Sequence, residues 1–269
     1  MDKYPLCRVL SEREKFFTHS IKVFTIVTYS GRNIDGKGEN EKMKTYINFI
    51  PIEEIEGFAP VFEFLEEGYR LTDYLFFDIE TTGFSVDSSR YAMTGFFYFD
   101  GERWWSEQYL AESKSDQRVV LLATYYAMLR FKRIVTFNGN DFDLPFFFEK
   151  LRMFTTIQGE HLLDRSLDLL PLMRKVKAQM GFENCKLKTI EKHLGINRTF
   201  FIEGELLAES YRQILEGNEI VERDYVGYNQ EDVVWLAQIM SIMSETLFSR
   251  QSEEREVLHA VDNHQPSLF

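Results

Sequence analysis

Cysteine is nearly absent: Cys7 and Cys185 are the only two in 269 residues. Two thiols so far apart make neither a zinc pattern nor a disulfide framework, which fits a reducing compartment. Long hydrophobic runs are missing as well. No apolar segment approaches the roughly 20 residues that span a bilayer, so no membrane partner is expected. The first residues, Met1 to Pro5, carry no signal-peptide pattern, and the expected location is cytoplasmic. No internal repeat is visible. Positive charge is in short supply, with 31 Lys and Arg against 43 Asp and Glu and a net charge of −12. That excess of acid counts against a broad electrostatic attraction to nucleic acid or to an anionic membrane.

What is present argues for a folded enzyme-sized unit. The length suffices for one large domain with a real core, and the 44% hydrophobic content with 25 Phe supplies it. The charge is also uneven. Between Arg174 and Arg198 seven Lys or Arg meet only two acids, Glu183 and Glu191. Such a run is ordinarily a solvated helix surface, but beside an acidic site it is what a phosphodiester substrate needs.

The chain is organised around Tyr74–Phe84, an apolar run of strand length that carries Asp78 and Glu80 and then meets Thr81-Thr82-Gly83. Side chains two apart on a strand share a face, so the two carboxylates lie together. Adjacent carboxylates repel unless a cation sits between them, and hard oxygen ligands suit Mg²⁺ or Mn²⁺. Taken alone, Asp-Ile-Glu is equally the solvated face of an edge strand.

Around it, Ile21–Tyr29 and Thr45–Ile50 read as strands, Ser30–Lys42 as a Gly-rich loop, and 52–70 as a helix. Tyr91–Phe99 and Arg103–Leu110 form the next hairpin, turning at Asp100-Gly101. Asp116–Phe131 has helical periodicity, and Arg133–Phe137 is a buried strand joined through it by a parallel crossover. Helices follow over about 142–154, 168–180, 186–194, 204–216 and 219–248. The expected organisation is an N-terminal extension (1–70), a main domain (71–249) and a polar, disordered tail (250–269).

Three further stretches bear on chemistry. In Thr136–Pro145 a strand ends at Asn138-Gly139 and enters a helix, placing Asp143 beside the first two acids. Asp143 is alternatively a helix cap, and Asp141 competes for either role. In the last long helix Tyr228 and Asp232 are four apart and share a face, while Glu231 points elsewhere as a surface charge. Asp232 is alternatively an exposed acid favoured by the helix dipole. Asn184–Arg198 is a basic amphipathic helix.

Asp-Ile-Glu-Thr-Thr-Gly at 78–83, Asn-x-x-x-Phe-Asp-Leu-Pro at 138–145 and Tyr-x-x-x-Asp at 228–232 together resemble the three motifs of the DEDD (DnaQ-like) exonuclease superfamily, in its tyrosine-bearing branch. The Leu187–Arg198 stretch resembles the YprB-type group of that branch. The resemblance covers about residues 72–247. It implies an α/β ribonuclease H-like fold, a mixed five-stranded sheet flanked by helices, with the small N-terminal β-containing extension outside it. It also implies that Asp78, Glu80, Asp143 and Asp232 hold two divalent cations, Mg²⁺ or Mn²⁺, that Tyr228 orients the attacking water, and that hydrolysis runs 3′ to 5′, releasing nucleoside monophosphates. Thr81, Thr82, Gly83, Phe84, Asn138, Lys186, Lys188 and Arg198 are the expected substrate contacts, with Phe84 stacking on the terminal base. Single-stranded DNA is the favoured substrate and RNA the alternative. A catalytically silent nucleic-acid or clamp-binding adaptor is the reading of another class, and the presence of all four acids counts against it. The last residues, Gln265, Leu268 and Phe269 in a Gln-x-x-Leu-Phe frame, resemble a sliding-clamp-binding peptide, with Pro266 where the usual peptide has Leu.

Overall fold

The structure is a computed structural model and describes residues 26–30, 42–51, 66, 68–113 and 115–262. The expectations for 21–25, 31–41, 52–65 and the peptide at Gln265, Leu268 and Phe269 lie outside the described residues.

Seven strands form one mixed sheet: β1 (Ile26–Ser30), β2 (Lys42–Ile50), β3 (Tyr74–Thr81), β4 (Tyr91–Phe99), β5 (Trp104–Ala111), β6 (Arg133–Thr136) and β7 (Ser166–Asp168). Their order across the sheet is β1-β2-β5-β4-β3-β6-β7. β3 is the pivot, antiparallel to β4 and parallel to β6. Among the described residues six α-helices complete the fold: α1 (Gln117–Met128), α2 (Asp143–Phe154), α3 (Leu169–Met180), α4 (Leu187–His193), α5 (Leu207–Leu215) and α6 (Glu219–Asp262).

The period of two along β3 sorts its residues between two cores. Leu75, Phe77 and Ile79 join the cluster on one face with Val120 and Leu121 of α1 and Phe147 and Leu151 of α2. Tyr74 and Phe76 join the other, with Leu169 and Met173 of α3 and Val233, Leu236 and Met240 of α6. Asp78 and Glu80 continue that second row, so both acids face α6. Aspartate makes the β4–β5 turn: Asp100 Oδ1 accepts N–H bonds from Glu102 and Arg103 (2.8 Å each), and Gly101 adopts φ 112°.

The structure differs from expectation in three places. The main domain supplies the expected five strands, β3 to β7, but the N-terminal extension continues the same sheet with β1 and β2. β2 pairs along the whole length of β5, from Met43 opposite Ala111 to Ile50 opposite Trp104, and covers what is otherwise an open edge. Lys44 and Tyr46 of β2 also bond Glu222 of α6. The three-residue β7 was not anticipated, being too short for any periodicity to register. Finally, α6 runs on through 250–262, where a disordered tail was expected. That stretch is polar but carries three Glu and two Arg, lacks Gly and Pro, and has the propensity to propagate a helix already begun. No helix among the described residues is long and apolar enough to cross a membrane.

Candidate active site

The carboxyl end of β3 delivers Asp78 and Glu80 to the α6 side of the sheet. A bulge at Ala92 of β4 follows, since Glu80 pairs with Met93 but Thr81 with Tyr91. Bulges of this kind bend a strand beside a site and re-aim its side chains. Opposite Asp78 stands Gly95. Its missing side chain makes a notch for Asn229 of α6, whose Nδ2 donates to Asp78 Oδ2 (3.1 Å) and Glu80 Oε1 (3.4 Å). One fully buried amide therefore bridges both acids.

α6 brings Tyr228 and Asp232 to the same place from above. Asp232 Oδ1 lies 2.6 Å from Arg198 Nη2. That guanidinium also pairs with Glu191 of α4 and lies 5.6 Å from the centre of the Tyr228 ring. Arg198 is fixed in turn through the backbone after it. The Glu231 carboxylate accepts N–H bonds from Thr199 (2.8 Å) and Phe200 (3.0 Å), clamping that segment on α6.

The second motif is held by Asp168, at the junction of β7 and α3. Its carboxylate accepts from the N–H groups of Asn138 (2.8 Å), Asn140 (3.1 Å) and Leu170 (3.0 Å). The first two bonds shape the loop in which Asn138 takes φ 67°, a conformation asparagine tolerates well. The loop leads into α2 with Asp143 buried in its first turn, and Asp143 Oδ1 accepts from Ile79 N (3.3 Å).

The result is a cavity of about 510 Å³ lined by Asp78, Glu80, Asp143, Asp232 and Tyr228, with Asp141 on its exposed side. Asp78, Glu80 and Asp232 each offer an oxygen, all within 4.8 Å of one another. Burial pushes Asp78 and Glu80 well above the usual carboxylate range, and the charges of neighbouring acids, Asp232 foremost, add to it. Burial likewise raises Asp143 to about 7, against the pull of backbone N–H bonds. It raises Asp232 too, although Arg198 opposes it. Crowded, enclosed carboxylates are electrostatically unfavourable without cations, and Arg198 neutralises only one. An all-oxygen anionic set of this kind fits hard divalent ions such as Mg²⁺ or Mn²⁺.

The RNase_H_2 family model, described as RNase_H superfamily, matches residues 75–244. The chain belongs to the RNase H superfamily. No curated protein matches it. The matched span begins in β3 and ends in α6, so this superfamily domain contains both elements that carry the first and last acids.

Other expected site residues of this RNase H superfamily domain fall into distinct places. Phe84 is 89% exposed at the cavity, edge-on to Phe142. Asn138 lines the same cavity. The Thr81 and Thr82 hydroxyls are engaged in the turn, Thr81 Oγ1 donating to the Gly83 carbonyl (2.8 Å) and Thr82 Oγ1 accepting from Arg90 N (2.8 Å). Lys188 and Arg198 line an adjoining groove, while Lys186 is exposed at the start of α4 and lines neither space. Arg198 is less open to a substrate than expected, since Glu191 and Asp232 already hold it. Glu231 is not a surface charge; at 2% exposure it is buried because it caps backbone N–H groups.

Sequence reasoning missed Asn229, Glu191 and Asp168. Asn229 carried a usable signal, a polar residue three before Asp232 in an otherwise apolar helical stripe. Gly95→Ala tests the Asn229 bridge. An added Cβ would lie 2.0 Å from Asn229 Oδ1. The expected result is a loss of about 1–3 kcal/mol in urea-induced unfolding, typical of forced overpacking. An unchanged midpoint would mean that the notch is not required.

Proposed function

We propose that this chain is a metal-dependent 3′–5′ exonuclease of the tyrosine-bearing DEDD branch, acting on single-stranded DNA. The observation that carries this reading is the convergence of Asp78, Glu80 and Asp232 within 4.8 Å, in a cavity that Asp143 and Tyr228 also line. Those four acids would hold the divalent cations. When bound there, the cations supply Lewis-acid chemistry, acidifying a water and stabilising the oxygen that leaves phosphorus.

The protein's own groups then have separable tasks. Burial and the nearby acids push the Tyr228 phenol above its ordinary value. It therefore keeps its proton, and its hydroxyl serves to hold and aim the attacking water, not to deprotonate it. Asn229 fixes the rotamers of Asp78 and Glu80. Phe84 offers an open ring at the mouth for the terminal base. The anionic cavity admits a phosphodiester only once its charge is neutralised, which ties substrate entry to prior metal loading.

A digestion panel tests the proposal: 5′-labelled single- and double-stranded DNA and RNA, each with Mg²⁺, Mn²⁺ or EDTA. The expected result is a ladder shortened from the 3′ end of single-stranded DNA, present with either metal and absent in EDTA. Internal cuts, or no metal-dependent cleavage of any substrate, would overturn it. Cleavage confined to RNA would replace the substrate. On sequence alone we add that Gln265, Leu268 and Phe269 dock on a sliding clamp. Binding of a peptide spanning 260–269, lost when Leu268 and Phe269 become Ala, checks that addition.

A further inference from the structure

A second space opens beside the acidic cavity. It is a groove of about 500 Å³ between α4, the segment after it and α6. Leu187, Tyr228 and Asp232 line both spaces, so the two share a wall. Their charges are opposite. The cavity presents five acids and no basic side chain. The groove presents Lys188, Lys192 and Arg198 against Glu191 and Asp232. Both of those acids are taken up by Arg198. Neither Lys188 nor Lys192 forms an ion pair among the described residues. The groove therefore offers an anion two ammonium groups outside any ion pair, of which Lys188 also packs on Phe201 and acts electrostatically on Asp232.

It also offers an aromatic face. Phe201 is 62% exposed, whereas its neighbour Phe200 is buried against α6. The Lys188 ammonium lies 4.3 Å from the centre of the Phe201 ring, so cation and ring form one unit. A flat apolar ring bordered by paired lysines matches the repeating unit of a single strand, one base plane and one phosphate per nucleotide. An acidic peptide would satisfy the lysines but leave the ring without a planar partner.

We infer that this groove is a second nucleotide subsite, in which Phe201 stacks on a base while Lys188 and Lys192 hold the phosphate adjacent to the scissile one. The inference rests on the exonuclease reading, whose site supplies the scissile phosphate. A single strand then crosses the shared wall at Tyr228 and Asp232, with Phe84 and Phe201 as stacking platforms in the two spaces.

The test uses the full chain and a fluorescein-labelled oligothymidylate, with affinity read by fluorescence anisotropy in Ca²⁺, a hard cation that neutralises the acids in place of Mg²⁺, and hydrolysis read in Mg²⁺. Phe201→Ala should weaken binding by about 5- to 100-fold, the effect of one lost base stack. Lys188→Ala and Lys192→Ala should each reduce the slope of log affinity against log salt by about 0.7, which a merely structural role would not do. Phe201 and both lysines are exposed, and melting curves check that each variant is folded. If the parent binds and the variants bind equally well with the parental salt slope, the subsite is overturned, whether or not the parent cuts. If the variants weaken as expected but the parent never cuts, the subsite stands and the exonuclease reading falls. If the parent neither binds nor cuts, both fall.

Discussion

Asp78→Asn is expected to reduce hydrolysis by about a thousandfold or more, while making the metal-free protein more stable. The loss follows from removing one charge of the cage, because a metal site supplies several kcal/mol of charge stabilisation and each tenfold in rate is about 1.4 kcal/mol. The gain follows from the same charge. Asp78 shares a space under 4.8 Å across with Glu80 and Asp232. Two full charges at that separation repel by about 3 kcal/mol at an effective dielectric of about 20. Partial protonation already relieves some of this, so the expected gain near neutral pH is about 1–2 kcal/mol, or several degrees in melting temperature. Asparagine retains an oxygen to accept the Asn229 bond, so the fold is not disturbed. Rate assays paired with thermal melts in EDTA check both halves. A variant that is inactive and also less stable would point to a structural role for Asp78.

The second large effect is an inverted dependence of stability on pH. Asp143 titrates at about 7 in the folded protein, and Asp78, Glu80 and Asp232 are all shifted upward by burial. Carboxyls in an unfolded chain titrate near 4, so between about pH 4 and 7 the native state holds more protons than the unfolded state. Stability is then greatest on the acid side of that window and falls as pH rises through about 7. The expected fall in unfolding free energy from about pH 5 to 8 in EDTA is on the order of 2–4 kcal/mol. Saturating Mg²⁺ takes the place of the protons, so its stabilisation is largest at high pH. A hundredfold excess over the dissociation constant adds about 2.7 kcal/mol. Urea titrations across pH, with Mg²⁺ and with EDTA, measure this. A metal-free protein that instead loses stability on acidification through this range would contradict the crowding of these acids.

How far the sequence reaches is clearest residue by residue. The spacing of Asp78 and Glu80 on an apolar strand carries their shared face directly, because alternation along a strand is a local property. Tyr228 and Asp232 are legible for the same reason on a helix. Asp143 and Asp141 are not separable by pattern. Their difference lies in the loop that Asp168 shapes from thirty residues away, which buries one and leaves the other exposed. Glu191 and Glu231 look like surface charges because nothing local announces their partners, Arg198 in one case and the backbone of 199–200 in the other. Burial of a charge is a property of the pair, and the pair is set by tertiary structure. The strand character of 45–50 is visible, but not that β2 would extend the sheet along β5.

Crystals soaked in Mn²⁺ and measured at a wavelength where manganese scatters anomalously give the most direct test. The expected result is anomalous density inside the cavity, ligated by oxygens of Asp78, Glu80 and Asp232, with Asp143 completing the set. A cavity with no anomalous density at saturating Mn²⁺, or density held by other residues, would contradict the account.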